Sequence, residues 1–405
     1  RFFLMKKLIG TAMLAALLAT SAFAELSVGV WLRQLWSPVA YNGGDVLTNS
    51  QNSWGAGRTG NIGLTWVSED EKAGAQLAFI YNPWHSKITD DGLEAISSYS
   101  DAFDMIESDG NRLIWVKPWD WIKFSLGHWD GINDIQVANT ASWDWLRPGT
   151  WLGFKGARAD NLYAENEATG ALFEITPVED LMIRVGLPFL DGDKSYHMFE
   201  ALTADVEYTI PDIMKIMVGW RGGAYAYAPA WGGAYADYKV DGDWGYTGEI
   251  DVFLGLIAVE NLQLDVGARI AIADYDVLQE EVDKVLIGVK AGYSITDNIS
   301  VKADFAVKIS EIQDPSFAFG VGVGVGLTDS LSLDADFRAL IPGDTNGVST
   351  DPTFSFLVGL NYACSTNAIL GIGFQGKTNG GAIGPLSGNE DNFGFAVPIK
   401  VQVSF

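Results

Sequence analysis

Cysteine is almost missing from this chain: Cys364 is the only one in 405 residues. No internal disulfide framework can therefore carry the fold, which suits a protein that crosses an oxidising periplasm without relying on cystine pairs. Histidine is nearly as scarce. His85, His128 and His197 lie far apart, with no Cys or His close by in sequence, so a structural zinc site lacks ligands. No Gly-x-Ser-x-Gly nucleophile elbow occurs, and the histidines sit near no positioned serine or carboxylate cluster, so enzymatic action is not expected. Basic residues are outnumbered, 26 Lys and Arg against 51 Asp and Glu. Nucleic acid is excluded as a partner, because phosphate binding depends on Lys and Arg. No Pro/Ser tract or break in composition divides the chain, which points to one large domain.

Long apolar runs are confined to the N-terminus. Met5-Lys6-Lys7 supplies a short basic region, Leu8 to Leu18 is nearly all apolar, and Thr20-Ser21-Ala22-Phe23-Ala24 ends in Ala-x-Ala. That order reads as a secretory signal peptide over residues 1–24, starting at Met5 and cleaved after Ala24. The apolar run is too short to span about 30 Å of hydrocarbon as a retained anchor. Losing Arg1, Lys6 and Lys7 with the leader takes the basic count from 26 to 23 against 51 acids, a net charge of -28 for residues 25–405.

What the remainder has in abundance is alternation. Ile299-Ser300-Val301-Lys302-Ala303-Asp304-Phe305-Ala306-Val307-Lys308-Ile309 places apolar residues at every odd position and Ser300, Lys302, Asp304 and Lys308 at even ones. Period two puts the two sets on opposite faces of a strand. Leu331 to Ala339 and Leu262 to Ile270 repeat the pattern. Short polar joints separate successive strands: Ser68-Glu69-Asp70-Glu71, Pro177-Val178-Glu179-Asp180, Val259-Glu260-Asn261, Thr296-Asp297-Asn298, Thr328-Asp329-Ser330 and Ser365-Thr366-Asn367. Asp, Asn, Ser and Gly accept the backbone angles that tight antiparallel connections need. Between the hairpins lie longer Gly-, Asp- and aromatic-rich stretches at 34–57, 82–110, 130–167, 222–244, 272–283 and 377–392.

Strands are expected at 26–33, 58–68, 72–81, 111–117, 121–129, 168–176, 180–188, 200–209, 212–221, 246–257, 260–271, 284–294, 298–308, 316–327, 330–339, 353–363, 367–376 and 393–405. The fold class that follows is all-β: a transmembrane antiparallel β-barrel of about 18 strands, with 16 as the alternative. Short periplasmic turns alternate with long extracellular loops in such barrels. A soluble sandwich also alternates, but these strands reach the length of about ten residues that a tilted bilayer crossing requires. Closure also satisfies every backbone group in lipid.

The last strand carries a resemblance. Val397-Pro398-Ile399-Lys400-Val401-Gln402-Val403-Ser404-Phe405 alternates down to a terminal phenylalanine. It resembles the final strand of bacterial outer-membrane proteins, where that residue serves as the signal read by the barrel-assembly machinery; Phe405 takes that place here. Pro398 departs from the pattern, and a bulge or a polar-face position is expected there. The wider resemblance is to porins, though the constriction-loop motif of the general trimeric porins is not evident. It implies passive diffusion of small hydrophilic solutes or ions, an outer-membrane location, contact with outer-membrane lipid, self-association as a trimer, and no cofactor.

Strand parity nominates the lumen-facing residues: Arg184, Asp205, Glu207, Glu249, Asp251, Asp265, Arg269, Lys302, Asp304, Lys308, Asp334, Asp336, Arg338 and Lys400, with Lys215, Arg221 and Lys290 beside them. Such charges are costly against lipid and acceptable beside water. Arg184, Arg269 and Arg338 form either a basic ladder facing acidic loops or ordinary ion pairs within the wall; pairing is the favoured reading. The acid-rich loops suggest a weak cation preference. Trp115, Trp119, Trp121 and Trp129 gather on one hairpin, followed by Trp143, Trp145 and Trp151. An interfacial girdle explains them most simply; a stacking path in a carbohydrate-selective porin is the alternative. Tyr225, Tyr227, Trp231 and Tyr235 belong to a Gly/Ala-rich loop, folded inward or external. Asp101, Asp104, Glu107 and Asp109 are the only grouping that suggests calcium, and they lack the spacing of an EF-hand, so a solvated acidic loop is preferred. The long loops also admit a structural or adhesive surface barrel as an alternative function.

Overall fold

The computed structural model describes residues 24–41, 46–51, 60–81, 87–89, 92–94, 106–107, 111–129, 168–188, 202–222, 239–240, 243–244, 246–273, 283–311, 313–345, 347–378 and 393–405. The leader at 1–23, the 130–167 and 223–238 stretches with their aromatic residues, and Asp101, Asp104 and Asp109 lie outside these residues. The first half contributes β1 (Ala24–Tyr41), β2 (Val46–Gln51), β3 (Gly60–Ser68), β4 (Ala73–Tyr81), β5 (Lys87–Thr89), β6 (Gly92–Glu94), β7 (Ile106–Glu107), β8 (Arg112–Trp119), β9 (Ile122–Trp129), β10 (Ala168–Val178) and β11 (Leu181–Pro188). Next come β12 (Thr203–Ile210), β13 (Met214–Gly222), β14 (Lys239–Val240), β15 (Asp243–Trp244), β16 (Tyr246–Leu256), β17 (Leu262–Ala273) and β18 (Asp283–Thr296). The chain ends with β19 (Ile299–Ser310), β20 (Ser316–Gly326), β21 (Leu331–Ile341), β22 (Thr353–Ser365), β23 (Ala368–Lys377), β24 (Gly394–Ala396) and β25 (Ile399–Ser404).

Every neighbouring pair is antiparallel, and the sheet closes on itself. β1 pairs with β3 over Ala24 to Leu32 and with β25 over Trp31 to Trp36. Phe405 completes the seam, donating its amide to the Val30 carbonyl at 2.8 Å and accepting from the Val30 amide at 3.0 Å. Two small hairpins, β5–β6 and β14–β15, stand outside this sheet.

With β24 and β25 counted as one strand interrupted at Val397-Pro398, the barrel has 20 strands, so the expectation of about 18, or 16, was low. The additional strands lie in stretches read as loops. β2 pairs with Trp36 to Tyr41, above the part of β1 that meets β3, and β7 pairs with Ile80 and Tyr81 of β4, beyond the reach of β8. Neither segment alternates, so period two gave no sign of them. Likewise β1 continues to Tyr41 through residues assigned to the 34–57 loop. Pro398 sits on the same face as Lys400 and Gln402, its carbonyl accepting from the Gly373 amide at 2.9 Å while the register to β23 stays unbroken. The irregularity falls on the other side of the strand, where β1 slips by one residue around Pro38.

Two devices recur in the tight connections. Ser68, Thr296, Thr328 and Ser365 each accept a backbone amide a few residues on, from Ala73, Asn298, Leu331 and Asn367. Glu71, Asp180, Asp212 and Asn261 take positive φ, between 55° and 67°, in four of these turns. In the first turn, a hydrogen bond from the Ser68 hydroxyl, aided by the Lys72 amide, lowers the Asp70 carboxyl pKa. Across to the next turn, the Lys72 ammonium does the same for Asp120. Folding gains from both carboxylates at neutral pH, and the gain is lost as pH falls through their lowered values.

The outer face is apolar and exposed, as in Phe305, Val321, Phe337, Val358, Ile372 and Val401. Phe319, Phe337 and Phe354 follow one another across three strands at centroid spacings of 6.2 Å. No helix among the described residues is long and apolar enough to cross a membrane. One tight packing point is Gly127, at φ 133°, where an added Cβ would lie 2.2 Å from the Arg112 carbonyl oxygen. Gly127→Ala is expected to cost about 1–3 kcal/mol through backbone strain. A lower urea midpoint for the refolded barrel would show it; an unchanged midpoint would mean β8 and β9 can separate freely.

Candidate functional site

The face opposite the exposed Phe, Val and Ile residues carries the charges, and register decides which of them meet. Arg184 is directly across from Asp205, with Nε 2.9 Å from Oδ1, while its Nη2 lies 2.7 Å from Glu207 Oε2. Lys215 on β13 closes that group from the far side, 2.9 Å from Glu207 Oε1. Farther round, the Arg221 and Arg269 guanidinium groups flank Glu249 and Asp251. Arg221 lies 3.2 Å from Glu249 and 3.5 Å from Asp251; Arg269 lies 3.4 Å from Glu249 and 3.1 Å from Asp251. All four side chains are buried.

The third group spans two strand spacings. Asp304 on β19, Gly320 on β20 and Arg338 on β21 share one register line. A Cβ on Gly320 would come 2.7 Å from Asp304 Oδ2 and 3.0 Å from the Arg338 guanidinium carbon, so only glycine leaves the gap open. Arg338 reaches across it to form a two-pronged pair with Asp304, at 2.9 and 3.3 Å, and also holds Asp336 at 3.1 Å. Planar bidentate pairing is the guanidinium's particular strength. Arg184 and Arg269 are thus tied to carboxylates on neighbouring strands and Arg338 to one two strands away, which is the pairing reading.

The remaining nominated residues share the same face. Asp334 accepts from Asn361 at 2.7 Å and Asp265 from Gln263 at 2.6 Å. Lys400 is buried opposite Gly371 and Leu35. Lys308 is half-buried between Leu286 and Ser316, and Lys302 is exposed between Gly292 and Gly322. No group of three or more metal-ligating side chains occurs among the described residues.

Sequence reasoning missed an apolar patch on this inner face. Leu113, Trp115, Trp129 and Leu172 pack together, joined by Val67. The four tryptophans of the 111–129 hairpin divide accordingly. Trp119 and Trp121 stack at 5.8 Å beside the tight turn and are 59% and 48% exposed, whereas Trp115 and Trp129 are 8% and 0% exposed. Trp115 lies flat over Gly74, with the Lys117 and Lys123 ammonium groups 5.3 and 5.5 Å from its ring. Lys123 continues to Glu174 at 2.6 Å. Gly74 and Gly186, each beneath an indole, were the available signal, but only register links them to Trp115 and Trp129.

No protein-family model and no curated protein sequence matches the chain. Solved structures do. An anion-selective porin from Comamonas acidovorans is similar over 94% of this chain and 100% of its own, with 10% identity and a TM-score of 0.55. The fold is that of a porin. OccAB4 of Acinetobacter baumannii is similar over 94% of this chain and 98% of its own, at 11% identity and a TM-score of 0.52. Sequence identity this low ties the porin fold to the barrel architecture alone.

Breaking one partner of a buried pair leaves an uncompensated charge, at a cost of about 3–5 kcal/mol. Arg338→Ala is expected to fall in that range and to exceed Asp304→Ala, because it also strands Asp336. The double variant should lose less than the two single losses together. Urea unfolding of the barrel in detergent micelles measures all three; simple additivity would mean that the pair across Gly320 is not coupled.

Proposed function

We propose that this chain is a passive outer-membrane channel for small hydrophilic solutes and ions. One observation carries the reading: a closed barrel with exposed Phe, Val and Ile outside keeps arginine, lysine, aspartate and glutamate side chains on its inner face. Charges on the lipid face would cost several kcal/mol near the bilayer centre, whereas an aqueous interior accepts them. Diffusion needs no catalytic group or cofactor. A bacterial outer-membrane location, assembly through the Phe405 end and self-association as a trimer belong to the same proposal.

The carbohydrate-selective alternative is weakened because Trp115 and Trp129 are packed into the wall, leaving little ring face for a sugar to stack on. The adhesive alternative depends on long loops outside the described residues. The weak cation preference rests on the acid-rich long loops, most of which lie outside the described residues. Ions pass closest to the fixed charges of the wall, which therefore weigh more in selection than the net charge of the chain.

Refolded residues 25–405 in a planar bilayer are expected to give repeated open-channel conductance steps. Demonstrably folded and inserted protein that gives none would defeat the channel reading and favour a plugged or structural barrel.

A further inference from the structure

The inner faces of β18 and β19 have a different charge balance from the strands around them. Parity turns Lys290, Lys302 and Lys308 inward together with Asp304, and Lys284 lies at the bulge that opens β18. Asp304 is already committed to Arg338, and Lys284 is paired with Glu311. Lys290 and Lys302 make no ion pair among the described residues.

The surroundings of Lys302 are open. Lys302 stands between Gly292 on one neighbouring strand and Gly322 on the other, so no side chain beside it at that level fills the space over the wall. A Cβ built on Gly292 meets nothing closer than 3.8 Å. Asp336 approaches the Gly322 position, but its carboxylate is hydrogen-bonded to Arg338. Asp265, across from Lys290, accepts from Gln263. Lys290 thus stands between Asp265 and Asp304, whereas Lys302 stands between two glycines with its ammonium exposed. Lysine there acts as a mobile, strongly hydrated point charge that can follow a passing anion.

We infer that the β18–β20 arc is an anion-attracting path, and that the channel prefers small anions over cations despite the acidic excess of the chain. The inference rests on the channel reading above and names its preferred solute class. Chloride is the simplest probe. In a planar bilayer under a KCl gradient, the unaltered protein is expected to reverse on the chloride side. Lys302→Glu should bring a several-fold loss in the chloride-to-potassium permeability ratio, while Lys302→Arg retains it. Open channels that prefer potassium, or a Lys302→Glu variant with an unchanged ratio, overturn the inference and leave the channel intact. Folded, inserted protein without conductance steps overturns both.

Discussion

A peptide group facing hydrocarbon has no water to bond, and each unsatisfied N–H or C=O there costs several kcal/mol. A sheet can meet that constraint only by abolishing its edges. Here the solution is the seam between the first and last strands, carried by the register from Trp31 opposite Ser404 to Trp36 opposite Ile399 and finished by the reciprocal bonds of Val30 and Phe405. Closure fixes an inside and an outside, and period two then assigns each side chain to one of them. The exposed phenylalanines and the arginine–carboxylate groups are two consequences of the same geometry.

On the inside, the wall is more than a collection of charges. Arg184, Arg221 and Arg269 bind carboxylates from adjacent strands and Arg338 one from two strands away, so much of the acid on the inner face is engaged in holding strands together. Pairs of this kind gain little net stability over an apolar replacement. Their value lies in fixing register and leaving a polar surface where lipid is absent. Against that neutralised background, the few cations that lack a wall carboxylate gain weight, which is why the local balance on β18 and β19 matters more than the total of -25 for the chain.

Much of this was legible in one dimension. The strict alternation at 299–309 and 331–339, the Ser/Thr–Asp–Asn joints and the terminal phenylalanine all encode local rules, and each corresponds to a strand, a turn or the seam. What escaped was non-local or without pattern. β2 and β7 carry no alternation, and exist because the ends of β1 and β4 offer them unpaired backbone. The division of the tryptophans depends on Gly74 and Gly186 lying beneath Trp115 and Trp129. The Arg338–Asp304 pair required knowing that Gly320 stands between them.

The central claim is an aqueous charged interior within an apolar exterior, and site-directed labelling tests it most directly. With the lone exposed Cys364 replaced by serine, cysteine is placed singly at Lys302 or at Phe305 in protein reconstituted into bilayers. The account predicts that a membrane-impermeant, water-soluble thiol reagent modifies Lys302→Cys readily and leaves Phe305→Cys unmodified. The opposite result, or equal protection of both positions, would contradict it.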